Sequence, residues 1–347
     1  MLKSHPSHFL FKVFKIMKSY KKYFNYEVNR PLKENERRNH LLQDKPAPIP
    51  VAWPQFSIIQ MNSTFLECVD LRFGRKGVAS GFSCVVIGFL ISILVDFTPS
   101  LIEVFSKDAN IHFVHNLVII FVYLIFLFLI VIFFLVFRLE TFDFTHYPMR
   151  FNRKTRMVHV FLDWQNGKIL SIPWKDIYFS FKDQSNMDFI ILGHQLTEDR
   201  NIVLQTFALP SRDERNSVYR FLQWEFVRQY MEDDDRRVQE LADMVYEVAD
   251  VATRRESLYG SFRQAWGAFA GRYLYLAVLF SPFILLSTIG RQIAVHTSRI
   301  PRWPAEIEAT CHYPPNDPCL RDGRHLARRG DAPWPDLTPY VGKLGKG

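Results

Sequence analysis

The sequence predicts an α+β integral membrane protein: a transmembrane helical hairpin, a cytoplasmic antiparallel β-barrel ending in a helix, and a third transmembrane helix. Two long uncharged runs predict the hairpin, and short strand-like segments after Arg138 predict the barrel. The mean hydropathy of the 347 residues is -0.05, because strongly apolar runs are offset by polar flanks. Charged residues make up 22% and aromatic residues 15%, a composition that excludes a disordered protein.

Residues 1–76 form a basic region whose net charge, +8, equals that of the whole chain. Its first part predicts an amphipathic helix, suited either to an anionic inner leaflet or to packing on the rest of the protein. Without a recognition motif, this charge does not predict nucleic-acid binding. The lysines of the polar face, which also interrupt any signal-peptide core, are Lys12, Lys15, Lys18, Lys21 and Lys22.

Residues 77–137 predict the hairpin. The uncharged run 111–137 exceeds the roughly 20 apolar residues that cross a hydrocarbon layer, and 77–95 is a second such run. The connecting loop, residues 96–110, is too short for a domain and carries one lysine and three acidic residues. The positive-inside rule therefore places the N-terminus in the cytoplasm and this loop outside, as expected of a bacterial inner-membrane protein.

Three polar residues are expected at the mouths of the spans. Asp96 ends the first span, and His112 and His115 begin the second. A carboxylate at membrane depth can mark an ion path, and two histidines three residues apart on a helix permit a pH-sensitive or metal-binding role. The simpler reading, boundary residues in contact with water, is favoured for all three.

Residues 138–232 predict the β domain. Strands at 157–162 and 168–172 flank an Asn166-Gly167 turn, and further strands are expected at 176–181, 189–196 and 201–209. A helix follows from Ser211, where a capping box begins. Several strands followed by one helix resemble a pleckstrin-homology-like domain, a likeness of architecture that implies no ligand and no activity.

Residues 233–269 predict an amphipathic helix, drawn from Arg236 to Tyr259 on a short heptad seam. Docking of this helix on the barrel or on a neighbouring helix is favoured over self-association, and a homo-oligomer is the alternative. The seam consists of Val238, Leu241, Val245, Val248 and Ala252.

Residues 270–291 predict a third transmembrane helix that Pro282 kinks or breaks, with a re-entrant segment as the alternative. A third crossing places the Pro-rich tail, residues 292–347, in the periplasm. The net charge of residues 291–347 is +3, which disagrees with the positive-inside rule.

Cys311 and Cys319 lie in this tail, separated by seven residues rich in proline. An oxidising periplasm favours a disulfide between them, whereas zinc would need more ligands than His312 adds. The chain contains no phosphate-binding glycine loop, nucleophile elbow or metalloprotease motif. The sequence therefore predicts no enzyme, no cofactor and no metal site.

Several short stretches resemble an uncharacterised family of proteobacterial membrane proteins. They are residues 150–160 (RFNRKTRMVHV), 172–174 (IPW), 224–231 (WEFVRQYM) and 300–307 (IPRWPAEI), with Cys311 and Cys319. The resemblance extends from about residue 50 to the end and implies a transmembrane hairpin ahead of a soluble domain. It also implies a gene near type VI secretion components, and it brings no catalytic motif.

Three functions follow from this resemblance and the predicted topology. The first is a membrane-resident interaction protein of a type VI toxin locus, an immunity or accessory factor. Its partners are the lipid bilayer and a protein encoded nearby, namely a toxin, an immunity protein or a secretion component. The second is an effector that inserts into a target membrane and permeabilises it. The third is a membrane scaffold or sensor unrelated to secretion.

Overall fold

A computed structural model of the chain describes residues 26–54, 57–70, 73–104, 113–162, 168–182, 190–209, 217–269 and 274–323. These residues divide into two compact units. Of the described residues, those within 75–143 and 257–298 form the helical unit, and those within 26–74, 144–256 and 299–323 form the sheet unit.

The strands, in chain order, are β1 (Arg30–Pro31), β2 (His40–Leu41), β3 (Ile58–Met61), β4 (Phe65–Cys68), β5 (Met149–Asn152), β6 (Met157–Phe161), β7 (Ile169–Pro173), β8 (Ile177–Lys182), β9 (Ile190–Leu196) and β10 (Ile202–Ala208). The α-helices are α1 (Glu34–Arg38), α2 (Val78–Val104), α3 (Phe113–Phe137), α4 (Ser217–Glu232), α5 (Asp235–Asp243), α6 (Leu258–Phe269), α7 (Leu274–Leu279), α8 (Ser281–Thr297) and α9 (Ala305–Ala309).

The strands of the sheet unit form two antiparallel five-stranded sheets, in the orders β1-β10-β9-β8-β2 and β3-β4-β5-β6-β7. The predicted hairpin is confirmed as β6 paired with β7, and its Asn-Gly turn lies outside the described residues. The three further strands are confirmed as β8, β9 and β10. The capping box at residue 211 also lies outside the described residues.

The prediction of one β-barrel built from residues 138–232 is wrong, because the described strands form two sheets and neither closes on itself. Strands β1 to β4 come from residues 30–68, which were assigned to the basic N-terminal region. Of these strands, β4, β2 and β1 pair with edges of β5, β8 and β10 that would otherwise lack hydrogen-bond partners, and β3 pairs with β4. The sheet unit is therefore assembled from segments on both sides of the hairpin.

Both sheets share one core with α4 and α5. At its centre the ring of Trp224, from α4, lies 5.9 Å from that of Trp174 and 4.5 Å from that of Phe179. All three side chains are at most 1% exposed. The predicted helix after the strands is thus confirmed as the element that covers the sheets.

The prediction of one continuous helix from Arg236 to Tyr259 is wrong, since α5 ends at Asp243 and α6 begins only at Leu258. In the intervening segment the backbone N–H of Ala249 donates to Ile58 O at 2.7 Å, extending the hydrogen bonding beside β3. Valine is a weak helix former, and burial of Val245 in the sheet core outweighs the heptad spacing.

The structure also contradicts the prediction that the tail is separated from the β domain by a membrane. Arg321 forms a two-way backbone bridge with Met61 of β3, with N···O distances of 2.8 and 3.0 Å. Thr64 Oγ1 donates to His312 O at 2.9 Å, and Asn152 Nδ2 donates to Thr310 O at 2.8 Å. From Arg299 onward, the described part of the tail is therefore an integral part of the sheet unit.

The predicted third span is divided between two helices, α7 and α8, which meet at Phe280. Pro282 lies in the first turn of α8, where its missing N–H costs no hydrogen bond. The predicted break at this proline is confirmed. Among the described residues, only the stretches 73–102 and 116–137 are helical, long and apolar enough to cross a membrane.

Candidate membrane surface and buried polar clusters

The helices α2 and α3 expose apolar side chains along most of their lengths. None of the most apolar part of α3 is buried, and Phe121, for example, is 62% exposed. The core helix of a water-soluble protein would bury such residues, so this surface requires a cover other than water. The exposed apolar residues of the two helices include Phe82, Val85, Phe89, Ile91, Val95, Leu117, Val118, Phe121, Leu124, Leu127, Val131 and Phe134.

The two helices form an antiparallel hairpin. The rings of Phe82 and Phe133 lie 6.0 Å apart near one end, and those of Phe97 and Phe126 lie 6.5 Å apart further along. Aromatic pairs at these distances add about 0.5–1.5 kcal/mol each beyond the area that they bury.

Of the polar residues expected at the mouths of the spans, only Asp96 has a described side chain. It is exposed and lies within α2, which continues through Pro99 to Val104, so the helix itself does not end at this residue. His112 lies outside the described residues, as do the five lysines of the N-terminal face. His115 lies in α3, but its side chain is not described.

A close crossing joins α2 and α8 through three glycines. A Cβ added to Gly290 would lie 2.2 Å from Gly77 O and 2.5 Å from Gly81 Cα, far inside van der Waals contact. Gly77 also has a φ of 102°, and a Cβ there would lie 2.4 Å from Arg291 Cα. Only glycine permits this approach of two backbones, the arrangement that small residues allow between helices in membranes.

A buried polar cluster lies beside this crossing. The carboxylate of Glu140 accepts hydrogen bonds from Gly77 N at 3.0 Å and from Ser80 N and Oγ at 2.9 and 2.8 Å. It thereby satisfies N–H groups at the start of α2 and complements the positive end of the helix dipole. Arg291, 1% exposed, donates from Nη1 to Lys76 O at 3.1 Å.

A second polar cluster fixes the tail within the sheet unit. Arg150 of β5 donates from Nε and Nη2 to Glu67 Oε2 at 3.0 and 2.7 Å, and from Nη2 to Glu308 Oε1 at 3.2 Å. Its guanidinium lies between the rings of Phe65 and Trp303, 4.4 and 4.9 Å from their centroids. Because Glu308 and Trp303 belong to the tail, this arginine joins three parts of the chain.

A third cluster surrounds His194 in the other sheet. Its Nε2 is hydrogen-bonded to Ser180 Oγ at 3.2 Å and its Nδ1 to Thr206 Oγ1 at 2.8 Å. Burial lowers the pKa of His194 to about 4, so the ring is neutral at physiological pH. A serine beside a histidine can form a nucleophile and base, but both side chains are 0% exposed, so a substrate cannot reach them. The cluster stabilises the sheet.

The structure has Cys311 and Cys319 as free thiols, both buried, and does not contain the predicted disulfide. Cys319 packs in the sheet core, and burial raises the pKa of its thiol to about 11. Asn152 Nδ2 lies 3.6 Å from Cys311 Sγ. Both thiols are held in packed surroundings.

Sequence reasoning missed Glu140, Arg150 and Arg291 as structural centres. A signal existed for Arg291, a charge at the end of an apolar run, and for Glu140, an acid directly after one. For Arg150 there was none, because its partners Glu67 and Glu308 are distant in the chain.

Comparison with protein families supplies one match. A family model described as a family of unknown function, DUF6708, matches residues 126–315, from within α3 to the tail. No curated protein and no solved structure matches the chain. The matched region covers more than half of the chain and includes β5 to β10, the helices α4 to α9 and Cys311, and it ends before Cys319. The chain therefore belongs to the DUF6708 family.

Proposed function

We propose that this protein is a membrane-anchored, non-enzymatic interaction protein whose helices α2 and α3 cross a bilayer. The observation that carries the proposal is the apolar surface of α3, of which no part of the most apolar stretch within residues 116–137 is buried. Lipid acyl chains cover such a surface without the free-energy cost of hydrating it. A helix also satisfies its own backbone hydrogen bonds, as the membrane interior requires.

The charge distribution supports an inner-membrane orientation with the sheet unit in the cytoplasm. The N-terminal 76 residues carry a net charge of +8, whereas the loop between the two spans has one lysine and three acids. Basic residues are retained on the cytoplasmic side of a bacterial inner membrane.

The sheet unit is the part proposed to bind a protein partner. Its buried titratable groups, such as His194 and the pair Arg150–Glu67, are held in hydrogen bonds that stabilise the fold, which supports a binding role over catalysis. The resemblance to membrane proteins encoded near type VI secretion components supports an immunity or accessory role. The partner class is then a toxin or a secretion component encoded nearby.

Expression of the chain alone, in cells that lack the neighbouring genes, tests this role. We expect normal growth, and protection when the neighbouring toxin is co-expressed. Growth arrest with loss of membrane potential would overturn the immunity role and identify a permeabilising effector.

Membrane anchoring is tested by one pair of matched substitutions. Leu127 lies near the middle of α3 and is 43% exposed, whereas Leu42 is 38% exposed in the sheet unit. A lysine at the centre of a spanning helix costs about 3 kcal/mol on insertion. We expect Leu127→Lys to reduce the carbonate-resistant membrane fraction and Leu42→Lys to leave it unchanged. Release of the unsubstituted chain by carbonate would refute anchoring.

A further inference from the structure

We propose that the open edge of β7 is a docking site, at which an extended segment of the protein partner adds a sixth strand to the sheet β3-β4-β5-β6-β7. This inference rests on the proposed binding role of the sheet unit and names the surface that serves it. The added strand runs antiparallel to β7, as neighbouring strands do throughout this sheet.

The strand β7 is the outermost of its sheet and pairs with β6 on one side. The opposite edge, β3, is closed by the chain itself. Arg321 forms a two-way backbone bridge with Met61 of that strand. Ala249 N donates to Ile58 O of the same strand at 2.7 Å. In the other sheet, the outer strands β1 and β2 have two residues each. Among the described strands, the five residues of β7 therefore form the longest edge that no other described segment closes.

The backbone hydrogen bonds between β6 and β7 show which residues of β7 face its neighbour. Leu162 N donates to Lys168 O at 2.9 Å, just before β7 begins. At the other end, Trp174 N donates to Arg156 O at 2.8 Å. In an antiparallel pair of strands, every second pair of opposite residues exchanges hydrogen bonds. The even-numbered residues from 168 to 174 therefore direct their N–H and C=O groups toward β6.

The residues between them direct their backbone groups to the open side. These are Ile169 and Ser171, each with one donor and one acceptor. The side chains agree with this phase, because His159 Nδ1 lies 2.8 Å from Ser171 Oγ, as expected where opposite residues exchange no backbone hydrogen bonds. Within the described part of the chain, no group is hydrogen-bonded to these outward N–H and C=O groups. Pro173 ends the edge, because it has no N–H and a 3₁₀ turn follows it.

The arrangement of these four groups selects an extended peptide as the ligand. The two donor–acceptor pairs are two residues apart, a spacing of about 6.8 Å along the strand. Another extended backbone matches this spacing and forms four hydrogen bonds, two with Ile169 and two with Ser171. A helix has bonded its own backbone groups internally, and a phosphate group offers acceptors without donors. The edge therefore fits the backbone of a partner protein.

Charge distinguishes a partner protein from a second copy of this chain. Exposed lysines flank β7, Lys168 before it and Lys175 after it, and with Asp176 the net charge of residues 168–176 is +1. Two copies of β7 paired across Ser171 would bring Lys168 of each copy near Lys175 of the other, and like charges across strands are destabilising. A partner segment with acidic residues at its ends is attracted instead.

The side chains of β7 also specify the middle of the partner segment. Leu170 and Ile172 are 8% and 2% exposed and face the core, whereas Ser171 is exposed on the other side of the sheet. Residues of the added strand beside Leu170 and Ile172 extend the apolar face, and those opposite Ile169 and Ser171 lie on the wetter face. The occupant is thus a segment with alternating apolar and polar residues between acidic ends.

A designed peptide of this pattern, Glu-Thr-Val-Thr-Val-Thr-Glu, is the probe. Its fluorescence anisotropy is followed during titration with the purified full chain in detergent micelles, with empty micelles subtracted. We expect saturable binding below about 1 mM. Methylation of the backbone nitrogens of the fourth and sixth residues, which face β7, should weaken binding at least about tenfold, because two hydrogen bonds are lost. Methylation of the two valine nitrogens, which point away from β7, should not. No binding at about 1 mM, or equal effects of the two methylations, would overturn strand addition.

Ser171→Pro tests the same edge from the side of the protein. It removes an outward N–H without breaking a hydrogen bond to β6, and proline is tolerated at such positions of edge strands. Ser171→Ala is the matched control, because it also loses the hydroxyl that contacts His159 but keeps the N–H. We expect peptide binding to fall at least about tenfold in Ser171→Pro and to stay within about twofold in Ser171→Ala. Equal binding by the two variants would contradict the docking site, and the methylated peptides test it without any change to the fold.

Protection of cells from the co-expressed neighbouring toxin separates this inference from the proposed function. The unsubstituted chain and Ser171→Ala should protect, whereas Ser171→Pro should not. Protection by all three would overturn the docking site and leave the immunity role in place. Protection by none would refute the immunity role itself. Light scattering of the purified chain provides the last check, since a dimer that Ser171→Pro dissociates would assign the edge to a second copy and overturn the proposal.

Discussion

Replacing Gly290 by alanine is expected to disrupt the packing of α8 on α2. The new Cβ would lie 2.2 Å from Gly77 O and 2.5 Å from Gly81 Cα, and backbone atoms cannot rotate away as a side chain does. Gly88→Ala is the matched control, because it adds the same methyl group to α2 at a position with no atom within 4 Å.

The size of the effect follows from two opposing terms. Overpacking of a closely packed interface costs typically about 1–3 kcal/mol, and contacts this short place Gly290→Ala toward the upper end. Alanine is favoured over glycine in a helix interior by about 1 kcal/mol, and this gain applies to both variants. We therefore expect Gly290→Ala to be about 2–3 kcal/mol less stable than Gly88→Ala.

The measurement is unfolding of the purified full chain in detergent micelles, followed by tryptophan fluorescence over a denaturant titration. Comparison of the two alanine variants cancels the effect of helix propensity and isolates the contact. If Gly290→Ala proved as stable as Gly88→Ala, the close crossing of α2 and α8 would be refuted.

Three further predictions concern the sheet unit. Arg150→Met should reduce the free energy of unfolding by about 3–5 kcal/mol, because it leaves the Glu67 carboxylate buried without its cation. The control, Arg38→Met, removes an exposed pair with Glu34 and should change the free energy by at most about 0.5 kcal/mol. Equal losses in the two variants would contradict the buried pair. The pKa of His194 is about 4 when folded and 6.5 ordinarily, so below pH 6.5 the unfolded chain takes up a proton that the folded chain does not. As the pH falls from 7 to 5, the free energy of unfolding should decrease by about 2 kcal/mol because of this residue. Urea titrations at the two pH values measure this decrease, and His194→Gln should remove it. If the tail lies in the reducing cytoplasm, Cys311 and Cys319 should both be free thiols. Cells are lysed in denaturant without reductant, and an alkylating reagent should then modify both cysteines. Mass spectrometry that found the two cysteines linked would contradict a cytoplasmic tail.

The local elements could be predicted from the sequence because their signals lie within short windows. The run of apolar residues in α3 and the alternation along β6 to β10 each depend on neighbours a few positions away. The break at Pro282 has an equally local cause, the absent backbone N–H. These elements are correctly placed before any tertiary contact is considered.

The predicted helix through Val245 shows where predictions from short stretches of sequence fail. Its heptad spacing satisfies a local rule, but burial in the sheet core and a backbone hydrogen bond from Ala249 to Ile58 favour an irregular segment. The same limit applies to Arg150, whose pairing with Glu67 and Glu308 depends on the return of distant segments. Propensity and periodicity cannot report such pairings.

By itself, the sequence determined the two apolar helices, the later strands and the covering helix, because hydrophobic periodicity and turn chemistry are local. Only the tertiary structure decided that residues 30–68 complete both sheets and that the tail returns to the same unit. Strand pairing satisfies backbone groups between segments far apart in the chain, and no spacing along the sequence encodes it. The return of the tail to the sheet unit rests on such a pairing, between Met61 and Arg321.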